Sequence, residues 1–358
     1  MNRPHLSGAP RRVPLPARLA RRQVDDGQVR FGPLMAIPAV LAEFGIDVAR
    51  LLEEFQLDRS AFEDPEHTVA YETVGRIFDW CVRATRCEHF GLMIGERAGL
   101  SSLGPVGYLA QSAPNVAVAL RIIGEQLHVS DRGGIATIER DGEYVTFGYA
   151  IVAPSVECRS QILAAAVAIG FNILRSLCGP RWSATAVHFA CTGPQKIARY
   201  RQFFQVTPRF DQAHSGILFP ARWLSEPPPG ADPVLHRMMR ERIDELLAES
   251  PGGAENIVGR VQRALRTLVM QPHCSINLAS RQLGLPVRTL KRRLADAGTT
   301  FLELREQARY EIARQLLRDS RMSVSEVALG LGYSESSSFA RAFARWAGVG
   351  PTEWRRRL

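Results

Sequence analysis

The chain has 358 residues, 46% hydrophobic and 23% charged, a composition that suits two or three globular domains with sizeable cores. Its formal net charge of +9 is unevenly placed: residues 1–30 hold 7 basic and 2 acidic side chains, residues 31–254 hold 20 and 25, and residues 255–358 hold 18 and 9. Six scattered cysteines (Cys81, Cys87, Cys158, Cys178, Cys191, Cys274) form no C-x-x-C pair, which excludes a disulfide scaffold or zinc cluster and reads as buried free thiols in a reducing cytoplasm.

Residues 1–30 are rich in Arg and Pro and lack an apolar h-region, so they read as a disordered leader and not a signal peptide. Ordered sequence is expected from Phe31, with helices over Leu34–Phe44, Ala49–Phe55, Tyr71–Thr85 and Val116–Leu127. The period then changes to two. Residues 134–139 and 144–149 alternate in polarity around Asp141-Gly142, a hairpin signal. A long apolar helix is predicted over Val156–Leu177. Its most apolar part, Ile162 to Leu174, contains Asn172 and is about 13 residues, short of the roughly 20 a bilayer needs, so it is a core helix and no membrane partner is expected. A strand over Val187–Ala190 and a loop-rich stretch to Trp223 complete an α+β region, residues 31–233.

Residues 234–254 are a linker helix and hinge between two punctuation marks, Glu226-Pro227-Pro228-Pro229-Gly230 and Ser250-Pro251-Gly252-Gly253. The apolar stripe Leu235, Met238, Met239, Ile243, Leu246 and Leu247 either forms a dimer seam or docks on the preceding region.

Residues 255–358 read as all-α, with helices near 256–270, 276–283, 287–297, 301–318, 323–331, 335–347 and 351–357. The region contains an imperfect repeat. Leu283-Gly284 precedes the helix Val287–Leu294, and Leu331-Gly332 precedes the helix that starts near Glu335. Short helix, glycine turn, second helix is the helix-turn-helix layout, in which the second helix enters the major groove. Leu290, Leu294, Phe339, Phe343 and Trp346 point inward. The opposite faces carry Arg288, Lys291 and Arg292 in one copy and Ser336, Ser337 and Arg341 in the other. Arg and Lys donate to guanine O6 and N7, and Ser donates or accepts, so these types suit base edges. A charged helix face can also simply meet water. What makes the reading specific is the pair of units at a fixed separation, set by a single amphipathic helix with Phe301, Leu304, Ala308, Ile312 and Leu316 on one side. Eighteen residues span about 27 Å, which with the width of the flanking units approaches the roughly 34 Å between successive major grooves on one DNA face.

The segment Ser275 to Arg355 closely resembles the DNA-binding region of the AraC/XylS family of bacterial transcription regulators. The resemblance is carried by Glu326-Val327-Ala328-Leu329-Gly330-Leu331-Gly332-Tyr333, then Phe339, Arg341, Phe343, Gly348, Pro351 and Trp354-Arg355. It implies that Arg288, Thr289, Lys291 and Arg292 face DNA in the first unit and Ser336, Ser337 and Arg341 in the second. Ser280 departs from the small Ala usual at the position equivalent to Ala328. The preceding region is similar, less specifically, to the arabinose-binding-like effector domain of the ornithine-regulator type, through Leu103-Gly104, Gly107-Tyr108-Leu109, Ala119-Leu120, the hairpin, Leu224, Pro227 and Ala231-Asp232. Double-stranded promoter DNA, RNA polymerase, an unidentified small-molecule effector and a second copy of the chain are the implied partners, with no cofactor and no metal.

An enzyme is not expected. The eight histidines stand singly, with no H-E-x-x-H, nucleophile elbow, phosphate loop or dinucleotide fingerprint, and His128 and His188 read as core residues. A protein-interaction module that keeps the helix-turn-helix fold is the other alternative. The basic excess in the last 104 residues, with Arg or Lys on both second helices, weighs against it.

Overall fold

The computed structural model describes residues 28–127, 130–151, 153, 156–249, 257–269 and 274–357. Of the leader expected over 1–30, residues 1–27 lie outside the described residues, as do His128 and the hinge at 250–253, while 28–30 form a strand with Val29 and Arg30 buried, because that strand pairs with 68–70.

The first half is built in chain order from β1 (Gln28–Arg30), α1 (Ile37–Glu43), α2 (Ala49–Phe55), β2 (Thr68–Ala70), α3 (Tyr71–Thr85), α4 (Phe90–Glu96), α5 (Pro105–Gln111) and α6 (Val116–Gln126). β1 and β2 pair antiparallel. The helix expected over 34–44 is divided into a 3₁₀ turn at Gly32–Leu34 and α1. Pro38 sits in the first turn of α1, where its missing N–H costs nothing and its fixed φ starts the helix. Asn115 caps α6 by accepting from Val118 N–H at 2.9 Å.

β3 (Gly134–Asp141) and β4 (Tyr144–Ile151) form the hairpin, followed by α7 (Arg159–Cys178), β5 (Ala186–His188), α8 (Ala198–Phe204) and β6 (Gly216–Pro220). The turn falls one residue later than the Asp141-Gly142 signal suggested. Asp141 pairs with Tyr144, and Gly142, at φ +57°, takes the first central position, where a two-residue loop tolerates glycine best. The sheet order is β3-β4-β6-β5, all antiparallel. β6 and α8 occupy the stretch read from sequence as loop, and β6 supplies the central pairing between β4 and β5.

α7 passes the length and hydropathy test for a membrane span, yet 72% of its most apolar window is buried inside the protein. It packs across the sheet on one side and against α4 on the other. The approach to α4 is close enough that a Cβ at Gly91 or Gly95 would collide with the carbonyl oxygens of Gln161 and Ala165. Gln161 and Asn172 secure that contact. The Gln161 side-chain carbonyl accepts from Gly91 N–H at 2.7 Å, and Asn172 Nδ2 donates to Ala98 O at 2.8 Å and Glu96 O at 3.1 Å. The polar interruption of this apolar helix thus satisfies the ends of α4.

α9 (Pro233–Glu249) begins at an Asp232 cap, whose carboxylate accepts from Val234 and Leu235 N–H. Of the stripe's described residues, Leu235 and Met239 are half-buried while Met238 is exposed, so docking accounts for only part of it. His236 Nδ1 lies 3.2 Å from Leu109 O and 3.4 Å from Ser112 Oγ, and Met239 packs on the large core. The side chains of Ile243, Leu246 and Leu247 lie outside the described residues.

The rest is helical, as expected from the sequence: α10 (Ile257–Leu268), α11 (Ile276–Gln282), α12 (Val287–Asp296), α13 (Phe301–Asp319), α14 (Val324–Gly330), α15 (Ser336–Ala347) and α16 (Pro351–Arg356). Two cores hold it. The first gathers Val261, Leu265, Leu290, Leu294 and Leu304 around α10 to α13; the second gathers Leu316, Leu317, Phe339 and Phe343 around α13 to α16. Capping boxes start α13 (Thr300 with Glu303) and α14 (Ser323 with Glu326).

Candidate nucleic-acid interface and effector cavity

The turns of the two helix pairs are made by Gly284 and Gly332, at φ +63° and +73°, a left-handed conformation that side chains with a Cβ resist. In the first pair, Leu290 and Leu294 are buried, Arg288, Lys291 and Arg292 are exposed and Thr289 is half-buried. In the second pair, Phe339 and Phe343 are fully buried while Ser336, Ser337 and Arg341 are exposed. Ser337 Oγ donates to Glu335 at 3.1 Å and Arg341 Nη2 donates to Ser338 Oγ at 3.3 Å. These are weak local contacts at the surface, which the guanidinium can exchange for another partner. Arg293, Arg345 and Arg356 are further exposed cations of this half that the sequence reading did not single out.

Ser280 is compatible with the packing site reserved for a small residue. It is 8% exposed, and its hydroxyl donates to the Leu285 carbonyl, so the extra oxygen is satisfied inside the turn. In the second pair the equivalent Ala328 is buried in a core that also holds Phe343, whose ring meets Tyr310, Trp346 and Trp354 edge-on. Arg355 Nε donates to Leu317 O at 2.9 Å, tying the last helix to the connector.

α13, the connector, runs for nineteen residues, about 28 Å at 1.5 Å per residue. Its C-terminal end touches the first half of the chain. Thr192 N–H donates to Asp319 O at 2.8 Å, and Arg321 N–H donates to Asp211 Oδ1 at 2.7 Å. Ala190 and Ala213 join the core around Phe339 and Phe343. Arg159 Nε lies 3.0 Å from Asp319 Oδ2, an ion pair by distance with an imperfectly aligned N–H; Arg159 is 5% exposed and Asp319 15%. Arg159 is the first residue of α7 and also donates to the carbonyls of Ala153 and Ile151, each at 3.4 Å. No periodicity or motif brings residues 159 and 319 together, and sequence reasoning missed the pair.

A cavity of about 100 Å³ lies between the sheet and α3, α6 and α7. Its walls are apolar, with Phe78, Ile123, Phe147, Ile162, Ile169 and Ile217 among them. One end is polar. Tyr149 OH donates to Asp131 Oδ2 at 2.6 Å, Tyr71 OH and Tyr149 OH are 2.6 Å apart, and Asp131 Oδ1 accepts from Gly133 and Gly134 N–H at 2.8 and 2.9 Å. Burial pushes the Asp131 carboxyl up to about 6, against the three hydrogen bonds that lower it.

His188 sits edge-on to His214, and burial beside that second ring pushes it down to about 4, so it stays neutral. Burial pushes the thiols of Cys158, Cys178 and Cys191 up to about 12, out of the thiolate range that nucleophilic or metal chemistry needs. Among the described residues, no group of three or more His, Cys, Asp or Glu converges as a metal site.

Residues 45–228 match the family described as the arabinose-binding domain of AraC transcription regulator, N-term, and residues 279–357 match a helix-turn-helix domain. The chain belongs to the AraC family. It is a DNA-binding transcription regulator with an N-terminal ligand-binding domain. Among its AraC-family relatives, the HTH-type transcriptional regulator VirS of Mycobacterium tuberculosis is 27% identical over 330 residues, covering 91% of this chain and 96% of that one. The ornithine utilization regulator of Pseudomonas aeruginosa is 26% identical over 331 residues, 89% and 94% of the two chains. The crystal structure of the transcriptional regulator CdpR from Pseudomonas aeruginosa aligns over 86% of this chain and 96% of that one, at 24% identity and a TM-score of 0.41.

Proposed function

We propose that the chain is a sequence-specific regulator whose two second helices, α12 and α15, read adjacent major grooves of promoter DNA under the control of a small metabolite held in the cavity. Arg288, Thr289, Lys291 and Arg292 form the first reading head, and Ser336, Ser337 and Arg341 the second. Residues 31–233 are the effector domain, 234–254 the linker and 255–358 the DNA-binding domain, working in a bacterial cytoplasm as a homodimer that contacts RNA polymerase.

The observation that carries the control mechanism is the double role of α7. Ile162, Ala165 and Ile169 line the cavity, and Arg159, at the start of the same helix, is paired with Asp319 at the end of the connector. A ligand that displaces α7 acts on this pair and so biases the second reading head against the first. Such a ligand shifts the equilibrium only by the difference between its affinities for the two arrangements.

The route is testable before the ligand is known. A Cβ at Gly170 would sit 3.5 Å from Ile217 Cδ1 and from the Phe147 ring, facing cavity walls, so Gly170→Leu occupies the space a ligand would take. The expected result is a changed DNA affinity in Gly170→Leu that disappears when Asp319→Asn is added, a non-additive double-mutant cycle. Additive effects of the two substitutions would contradict the route.

A further inference from the structure

We infer that the effector is a small, largely apolar molecule that presents a hydrogen-bond donor, an alcohol or an ammonium group, to Tyr71, Tyr149 and Asp131, and that a carboxylate is rejected there. The inference rests on the cavity being the effector site. A cavity of about 100 Å³ is comparable to one that admits a benzene-sized body. Its apolar walls supply affinity without direction, so the polar end decides selectivity.

The hydrogen count at that end is fixed. Asp131, ionised at neutral pH, can only accept. Its Oδ1 takes the N–H groups of Gly133 and Gly134, and its Oδ2 takes the Tyr149 proton. Tyr149 has then given its one proton away, so in the 2.6 Å contact between the two hydroxyls Tyr71 is the donor. Both tyrosine protons are consumed, and what remains on Tyr71, Tyr149 and Asp131 is lone pairs. Ser130, beside them in the lining, donates to Leu103 O at 3.0 Å. The neighbouring cations are already paired with carboxylates, Arg30 with Glu66 and Arg159 with Asp319. Among the described residues, no ion pair involves Asp131. A ligand carboxylate would therefore meet lone pairs and a buried negative charge, whereas a hydroxyl or ammonium would meet acceptors. The ammonium would also supply the buried carboxylate with a counter-charge.

The same count predicts a reversal. In Asp131→Asn the side-chain oxygen still accepts from the two glycine N–H groups, but the new amide nitrogen donates to Tyr149. Tyr149 then donates to Tyr71, and the Tyr71 proton is released into the cavity. The polar end changes from acceptor to donor without a change of shape.

The test is calorimetric titration of three probes of one size, benzylamine, benzyl alcohol and benzoate, into the full chain at pH 7.5. Wild type should bind benzylamine and benzyl alcohol at least about tenfold more tightly than benzoate, equivalent to about 1.4 kcal/mol. Gly170→Leu should abolish both, and Asp131→Asn should reverse the order in favour of benzoate. Tyr71→Phe removes the outermost hydroxyl of the Asp131–Tyr149–Tyr71 series; it should cost benzyl alcohol about tenfold and leave benzoate unchanged, which keeps the test open if the Asn variant fails to fold. Benzoate binding wild type as well as benzyl alcohol, with Gly170→Leu blocking all three, would overturn the donor inference and leave the cavity assignment standing. Absence of binding by every probe, or binding that survives Gly170→Leu, would overturn the cavity assignment and the inference with it.

Discussion

Arg288 and Arg341 are exposed side chains on helices whose opposite faces are buried in two different cores. Removing either should leave stability within about 0.5 kcal/mol and cost specific DNA binding about 1–3 kcal/mol, a loss of roughly 5- to 150-fold. Thermal melts beside DNA titrations of Arg288→Ala and Arg341→Ala check both halves of that statement. At Asp131 the folded carboxyl is raised to about 6 from an ordinary 3.8. A carboxyl raised in the folded state binds its proton more tightly there than in the unfolded chain. Its contribution therefore falls as pH rises between about 4 and 6, by an amount on the order of 3 kcal/mol. Urea unfolding at pH 4.5 and 7 should show Asp131→Asn gaining on wild type as pH rises; an identical pH dependence of the two proteins would remove the unpaired buried charge from the account. The exposed faces of α12 and α15, proposed above to meet DNA, were legible in the sequence because a helix that buries every third or fourth residue shows its outer face by subtraction. Asp131 was not, because its environment is assembled from β1, α3, the loop before β3 and β4, and no local pattern records it.

At the scale of elements, legibility followed periodicity. α2 and α3 match their predicted bounds, and the seven C-terminal helices differ by a residue or two at their ends, since each has one wet and one dry face. α4 has no such contrast: Phe90 to Gly95 are all buried, so its sequence is uniformly apolar and shows no helical stripe. α5, α8 and β6, five to seven residues long, were not read from the sequence, although α2 and α11, equally short, were. Glycine spoke more clearly, since Gly284 and Gly332 mark both turns. At Gly284 nothing lies within 4 Å of an added Cβ, so Gly284→Ala isolates the backbone term and should cost about 1 kcal/mol. Phe343→Ala should cost more, about 3–5 kcal/mol, because the ring is fully buried against Tyr310, Phe339 and Trp354. Chemical denaturation followed by circular dichroism separates these two magnitudes.

Over the whole molecule, charge and architecture divide the labour. The basic excess sits in the last 104 residues, which also hold both glycine turns and the connector, while the apolar cavity lies in the mixed half. The two are joined in space as well as in sequence, through Arg159–Asp319, Thr192–Asp319 and Asp211–Arg321. Sequence alone suggested a flexible link at 226–253; the structure adds a docked contact at the second helix pair, and a docked contact gives a buried ligand something to act on. The central claim remains that one chain carries two reading heads. Selection of bound sequences from a random DNA library by the full chain, repeated with Arg288→Ala and Arg341→Ala, tests it most directly. The predicted result is a motif of two short boxes about one helical turn apart, with one box blurred by Arg288→Ala and the other by Arg341→Ala. A single box, or one box affected by both substitutions, would contradict it.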